Sequence, residues 1–356
     1  MRVLIANPYG IGDVLFSLPL LHALRKSDPE GFVGYLSNGR TAEMVERCFP
    51  VDWHTSFEKD EFRALWKRSP ARGTGMLLRL IRSIQRQRFD ALIDLSLGWH
   101  YSFGGALAGI PKRAGFNFKN RGRFLTDRLE ISGFHSQPVP QYYLDLLPLL
   151  GVTAPEMPDV RLELPPGAEA EAERFLSQQG ISAGNRLVGI VPGGGASWGP
   201  NAVYKQWPGD RFARVADHAA RRYGAVILLL GNSKEAELCG SVATKMQAGH
   251  PKIIRAPSLL VLAAVLKRCA LVVGNDSGPL QMANFLRVPT VTIFGPVDGS
   301  VYGAFPANAR QRPVVNGLAC RPCYRGFRFP PCPWDNACLK GLEPEQVIRT
   351  MEEVLP

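Results

Sequence analysis

Two stretches of this chain place chemically capable residue types at telling spacings. In the first, Gly274-Asn275-Asp276-Ser277-Gly278-Pro279 follows the apolar run Ala270 to Val273 and opens an amphipathic helical pattern. A strand that ends in small polar residues and starts a helix presents free backbone N–H groups and a positive dipole end, an arrangement that receives phosphate. In the second, Cys320, Cys323, Cys332 and Cys338 put four cysteines within nineteen residues. The Cys-x2-Cys opening has metal-ligand spacing, and soft thiolates favour zinc or an iron–sulfur cluster. The wider gaps that follow are not the second knuckle of a zinc ribbon, so a structural metal site, disulfides and unligated thiols all remain open readings. Cys48, Cys239 and Cys269 fall in helical patterns and read as small core residues.

The elements that must position these groups alternate. Strands are expected at 2–6, 32–36, 91–95, 187–191, 225–230, 253–255, 271–275 and 290–294, with helices at 14–25, 168–179, 209–223, 234–247, 259–267, 280–286 and 345–354 between and after them. That alternation argues for an α/β protein with parallel sheets. Val3 to Ala6 followed by Gly10-Ile11-Gly12-Asp13 and a helix repeats the strand-turn-helix plan of the Asp276 region, so two nucleotide-type half-folds are expected. The break falls near Leu164-Pro165-Pro166-Gly167, giving domains 1–166 and 167–356, the second ending in the Cys-rich segment 320–338 and a terminal helix. Ligands of open parallel sheets bind beyond the carboxyl ends of the strands.

At 356 residues, 46% hydrophobic and 21% charged, the composition is that of a globular protein. No apolar run is long enough for a membrane span, and the opening apolar run is too short for a signal-peptide core, so a cytoplasmic protein is expected. The net charge of +11 is concentrated: residues 59–128 hold fifteen Lys/Arg against five Asp/Glu, a surplus of ten. Within 76–86, Leu77, Leu80, Ile81 and Ile84 form one helical face, and Arg79, Arg82 and Arg86 another. Lys112, Arg113, Lys119, Arg121, Arg123 and Arg128 lie in a Gly- and Asn-punctuated stretch expected to be a loop. The region reads either as a solvated basic face or as a landing surface for an anionic partner. No nucleic-acid-binding motif accompanies the charge, so none is expected as a partner.

With these pieces in place, the chain resembles glycosyltransferase family 9, the heptosyltransferase-like enzymes. The resemblance rests on Gly12-Asp13-Val14-Leu15-Phe16-Ser17-Leu18-Pro19, on Pro192-Gly193-Gly194-Gly195-Ala196-Ser197, on Lys205-Gln206-Trp207-Pro208 and on Leu230-Gly231-Asn232-Ser233-Lys234-Glu235. It is completed by Asp276-Ser277-Gly278-Pro279 through Val288-Pro289-Thr290-Val291 to Phe294-Gly295-Pro296, and the motifs keep the family's order over nearly the whole chain. Gly10 and Gln281 stand where family members often carry a basic residue and a histidine.

The resemblance implies a GT-B fold, two Rossmann-like domains whose parallel sheets face a central cleft, with an acceptor-binding first half and a donor-binding second half. It implies an inverting transfer that needs no catalytic cofactor or metal, with ADP-heptose as donor and an anionic lipopolysaccharide core as acceptor, reached at the inner face of the cytoplasmic membrane. Asp13 then matches the catalytic base, a task that a carboxylate on a short loop suits, although a first-turn carboxylate of the following helix is the competing reading. Gly193, Gly194, Ser197, Lys205, Glu235, Asp276, Ser277 and Gly278 match donor positions: Lys205, Ser277 and Gly278 toward the diphosphate, Glu235 toward the ribose. Gly12, Arg79, Arg82, Lys119, Arg121 and Arg123 are the acceptor candidates. Two other classes share parts of this pattern. A nicotinamide oxidoreductase lacks the third glycine of its fingerprint after Gly10-x-Gly12, and a nonenzymatic zinc and nucleic-acid-binding protein leaves the Asp276 loop unexplained.

Overall fold

A computed structural model describes residues 1–153 and 158–355, with the side chains of 196–198 and 200 outside the described set. The chain divides into two compact units, Met1–Phe134 with Val139–Val160, and His135–Pro138 with Arg161–Pro356. Each holds one six-stranded sheet among the described residues.

In the first unit the strands are β1 (Arg2–Asn7), β2 (Phe32–Ser37), β3 (Trp53–Ser56), β4 (Ala91–Asp94), β5 (Lys112–Phe118) and β6 (Asp127–Ile131). They pair in parallel in the order β3-β2-β1-β4-β5-β6. Val3, Leu4, Ile5 and Ala6 are all buried, because a central parallel strand is covered on both faces and reads as a continuous apolar run. The second unit has β7 (Leu187–Val191), β8 (Val226–Leu230), β9 (Lys252–Ile254), β10 (Leu271–Asn275), β11 (Thr290–Phe294) and β12 (Gln311–Val315), again all parallel, in the order β12-β11-β10-β7-β8-β9. Counted within its own unit, each sheet has the doubly wound order 3-2-1-4-5-6. The α/β architecture expected of a GT-B protein is present, each half a Rossmann-like sheet with crossover helices.

That order locates the sites. Connections leave β1 and β4 in opposite directions, as they do from β7 and β10, and the crevice at each reversal is where ligands of such sheets bind. The loops at the two switch points are therefore Pro8 to Asp13 with Ser96 to Trp99, and Pro192 to Gly195 with Asp276 to Gly278.

Two expectations change. The helix expected at 14–25 is two helices, Ile11–Leu15 and Leu18–Ser27. Pro19 lies at the start of the second, where its missing N–H costs nothing, and it could not continue the first. The stretch expected as one basic loop is largely sheet: Lys112, Arg113 and Arg128 sit on β5 and β6. Ala114, Phe116 and Phe118 are buried on β5, and only the turn carrying Lys119, Arg121 and Arg123 is irregular, held where Asn117 Oδ1 accepts from Gly122 N at 2.8 Å.

Candidate functional site

In the second unit, the β10 switch point is organised by Asn275, fully buried at the strand end. Its Nδ2 donates to Pro192 O at 2.7 Å, fixing the start of the Gly-rich loop, and its Oδ1 accepts from Trp207 N at 3.0 Å. Trp207 is itself buried and donates Nε1 to Leu342 O at 3.0 Å. One side chain thus ties two loops to β10 and sets where Lys205 emerges. Lys205 Nζ lies 2.6 Å from Asp276 Oδ2, with side-chain exposures of only 6% and 9%. Beside them Ser277 occupies the N-cap position of the helix Gly278–Phe285 yet makes no capping bond. Its Oγ is buried with no hydrogen-bond partner among the described residues. A buried hydroxyl left unmade costs about 1–3 kcal/mol, so this one, at a helix start and next to a buried cation, has the chemistry of an anion ligand held ready.

Gly193 and Gly194 are close-approach glycines, but what approaches them is protein. A Cβ at Gly193 would lie 1.9 Å from Glu235 Oε1, and one at Gly194 would lie 2.2 Å from Ala202 O. Glu235 Oε2 in turn accepts from Asn232 N at 3.1 Å, closing a capping box at the start of Ser233–Glu235. The structure therefore gathers Gly193, Gly194, Lys205, Glu235, Asp276, Ser277 and Gly278 at one sheet edge. The Ser197 side chain lies outside the described residues.

In the first unit, Asp13 is a half-buried first-turn residue of Ile11–Leu15, and Asn7 Nδ2 donates to its carbonyl at 3.0 Å, which ties the Gly12-Asp13 turn to the end of β1. A cavity of about 570 Å³ opens at this switch point, lined by Tyr9, Arg40, Lys59, Trp99, His100 and Arg121 among others. Tyr9 Oη accepts from Leu97 N at 2.8 Å and so joins the loops after β1 and β4. Burial pushes the Tyr9 phenol well above its usual range, and the nearby charges of Asp13 and Asp94 push it further. His100 is held below the ordinary imidazole value by burial and then by Lys59, Arg63, Arg121 and Arg123, a measure of how many cations converge on this rim. Arg123 stacks over Trp99 with its guanidinium 4.7 Å from the ring centroid. Beneath the loops Asp94 is buried, its Oδ1 accepting from Ser96 N at 2.9 Å and its Oδ2 unpartnered among the described residues. Desolvation raises its carboxyl to about 7 against the hydrogen bonding from Ser96.

Of the expected acceptor residues, Arg121 lines this cavity and Arg123 packs on its rim, while Lys119 sits over Phe118 at 5.1 Å. Arg79 and Arg82 do not line it: they stand exposed on the outer face of the helix Pro70–Arg86, whose Ile81 and Ile84 are buried with Leu77 and Leu80 packed beside them.

The sequence profile of glycosyltransferase family 9 (heptosyltransferase) matches residues 77–328. The chain belongs to glycosyltransferase family 9. Lipooligosaccharide heptosyltransferase 2 of Campylobacter jejuni (serotype O:2) is 30% identical to this family 9 chain over 186 residues, 51% of the chain and 55% of the relative, so the chain spans about half of that protein's length. Lipopolysaccharide heptosyltransferase 2 of Escherichia coli K12 is 24% identical over 334 residues, 89% of each chain. In fold, the chain matches an E. coli heptosyltransferase solved with ADP at a TM-score of 0.71 and 20% identity, over 99% of this chain and all of that one.

Of the three readings open for the four cysteines, the metal site finds no support. Among the described residues no group of three or more His, Cys, Asp or Glu side chains is placed to hold a metal ion. Cys338 belongs to the apolar core of the second sheet with Leu339 and Leu342, Cys332 Sγ accepts from Asn336 N at 3.3 Å, and Cys320 is exposed. All four are free thiols. Burial raises the Cys323 and Cys338 thiols, with neighbouring cysteines adding to it.

Sequence reasoning missed Tyr9, Arg40, Trp99, His100 and Asp94. Tyr9 lies four residues before Asp13 and Asp94 ends a strand that was expected, so a search for polar residues at strand ends would have found both.

Proposed function

We propose that this family 9 protein is an inverting, metal-independent glycosyltransferase that moves heptose from ADP-heptose to an anionic lipopolysaccharide-core acceptor. The observation that carries the reading is the unpartnered Ser277 hydroxyl beside buried Lys205 at the opening of Gly278–Phe285, where a diphosphate would find a hydroxyl, a cation and helix N–H groups together. The E. coli heptosyltransferase solved with ADP supports an adenine nucleotide as the carrier. In the transfer, Asp13 takes the proton of the acceptor hydroxyl as its oxygen bonds to the anomeric carbon. The bond from that carbon to the phosphate oxygen breaks on the opposite face, and ADP leaves. Charge developing on the leaving diphosphate is stabilised by Lys205 and the Ser277–Gly278 end of the helix. Glu235 faces the nucleoside, and Asp276 holds Lys205 in place. Donor binding belongs to 167–356 and acceptor binding to 1–166, with the cavity at Tyr9, Trp99 and Arg121 taking the acceptor's acidic sugar or phosphate.

Among the described residues no helix is long and apolar enough to cross a membrane. The protein acts from the cytoplasmic side, its basic helix Pro70–Arg86 resting against the inner membrane leaflet. Asp13→Asn tests the reading. Transfer from ADP-heptose should fall ~10²-fold or more, the usual effect of removing a general base, while ADP binding by titration stays at the wild-type level. Near-normal turnover would make Asp13 a helix-start residue and nothing more.

A further inference from the structure

The segment between β12 and the helix Ala337–Lys340 carries, besides its cysteines, the rings of Tyr324 and Phe329. Arg321 Nη2 donates to Val297 O at 3.2 Å, and both Cys323 N and Tyr324 N donate to Pro296 O at 3.0 Å, so the segment is stitched to the chain just past β11. From there four half-buried rings run in series: Tyr302 to Tyr324 at 5.8 Å between centroids, Tyr324 to Phe329 at 4.8 Å, and Phe329 to Tyr204 at 5.7 Å. Both ends are tied to the proposed phosphate site. Tyr204 is the residue before Lys205, and Tyr302 O accepts from Gln281 Nε2, in the first turn of Gly278–Phe285, at 2.6 Å. The rings therefore close a circuit with the Lys205–Asp276 pair and the helix start.

Strand order says which part of the donor meets this arch. Glu235 follows β8, the phosphate-type groups follow β10, and Tyr302 and Pro296 follow β11, in a sheet ordered β12-β11-β10-β7-β8-β9. A donor with its nucleoside at the β8 side and its diphosphate at β10 directs its next group, the sugar, toward β11. We propose that Tyr302, Tyr324, Phe329 and Tyr204 form the wall of the donor-sugar subsite and select the transferred sugar by packing on its C–H face. A pyranose presents polarised C–H groups on one face, and an aromatic ring offers an apolar surface with a negative π-face to meet them. The rings also keep water from the anomeric carbon and so protect the donor from hydrolysis. This inference rests on the donor reading above.

The test is calorimetric titration of ADP and of ADP-heptose against wild type, Tyr324→Ala, Phe329→Ala and the ring-keeping Tyr324→Phe. Losing one ring contact of about 0.5–1.5 kcal/mol should weaken ADP-heptose roughly two- to tenfold in each alanine variant. ADP should bind all four proteins alike, and Tyr324→Phe should behave as wild type. Equal losses for ADP and ADP-heptose, or no loss for either, would overturn the sugar wall while leaving the donor site standing. A wild-type protein that binds neither ligand would overturn the donor site and the wall with it.

Discussion

Asp94 is the residue whose chemistry is most out of keeping with its surroundings. Its carboxyl is raised from 3.8 to about 7 by burial, so folding binds its proton more tightly than the unfolded chain does. Stability should be unaffected by this group below about pH 4, fall as pH rises toward 7, and stay lowered above it. Asp94→Asn keeps the acceptor for Ser96 N and removes the charge. The variant should melt above wild type at pH 8 and with it at pH 4; a constant gap across that range would deny Asp94 its buried titration. Lys205 and Asp276 are buried as an ion pair, 2.6 Å apart. Lys205→Ala should lower donor affinity by ~1.5–3 kcal/mol, the range for a bond to a charged group, and should also cost stability by leaving Asp276 buried without its cation. Lys205→Ala with Asp276→Asn should recover the melting temperature but not the affinity. Recovery of both would mean that the lysine serves only the fold.

Among the elements, the helix Pro70–Arg86 makes the most distinct claim on a partner. Arg79, Arg82 and Arg86 are exposed and make no ion pair among the described residues, and the exposed Trp66 and Leu78 lie on this helix and the one before it. Each cation near an anionic bilayer is worth roughly 1 kcal/mol, and the attraction fades with salt. Reversing the three arginines to Glu should raise the acceptor KM and reduce sedimentation with anionic liposomes at low salt, with ADP affinity untouched. Unchanged kinetics and unchanged liposome binding would return the stripe to a solvated face. The amphipathic pattern of this helix was plain in the sequence because burial repeats along it every three to four residues. Several strands away from the sheet centres were not: β3, β5, β6 and β12 are absent from the sequence reading, although the edge strand β9 is in it. Those four carry polar or charged residues on one side, or in β12 a proline that an edge strand tolerates because one side of it has no ladder to pair with, and so lack the unbroken apolar run that marks β1 or β10. The residues proposed for the donor were readable as motifs because they fall in short contiguous runs of sequence. The cavity at Tyr9 and the arch at Phe329 were not, since each is assembled from segments dozens of residues apart. The surroundings of the cysteines were hidden for the same reason: local spacing cannot say that Cys338 packs into a distant core.

For the whole molecule, the repeated strand order explains why both sites sit on loops that follow central strands, where a rigid frame fixes them and sequence can vary without loss of the sheet. The path of the chain between the units has a further effect. The first unit is interrupted at His135–Pro138 and resumed by Val139–Val160, which brings Val139, Tyr143, Leu144, Leu146 and Leu147 into its interior. Tyr142 packs on Phe134 at 4.6 Å. During synthesis, therefore, the six strands of the first sheet leave the ribosome before the residues that seal it, and the nascent unit stays open until about residue 160 has cleared the exit tunnel. Domains mature in order from the amino end, and an unsealed apolar face at that moment is a natural client for a chaperone.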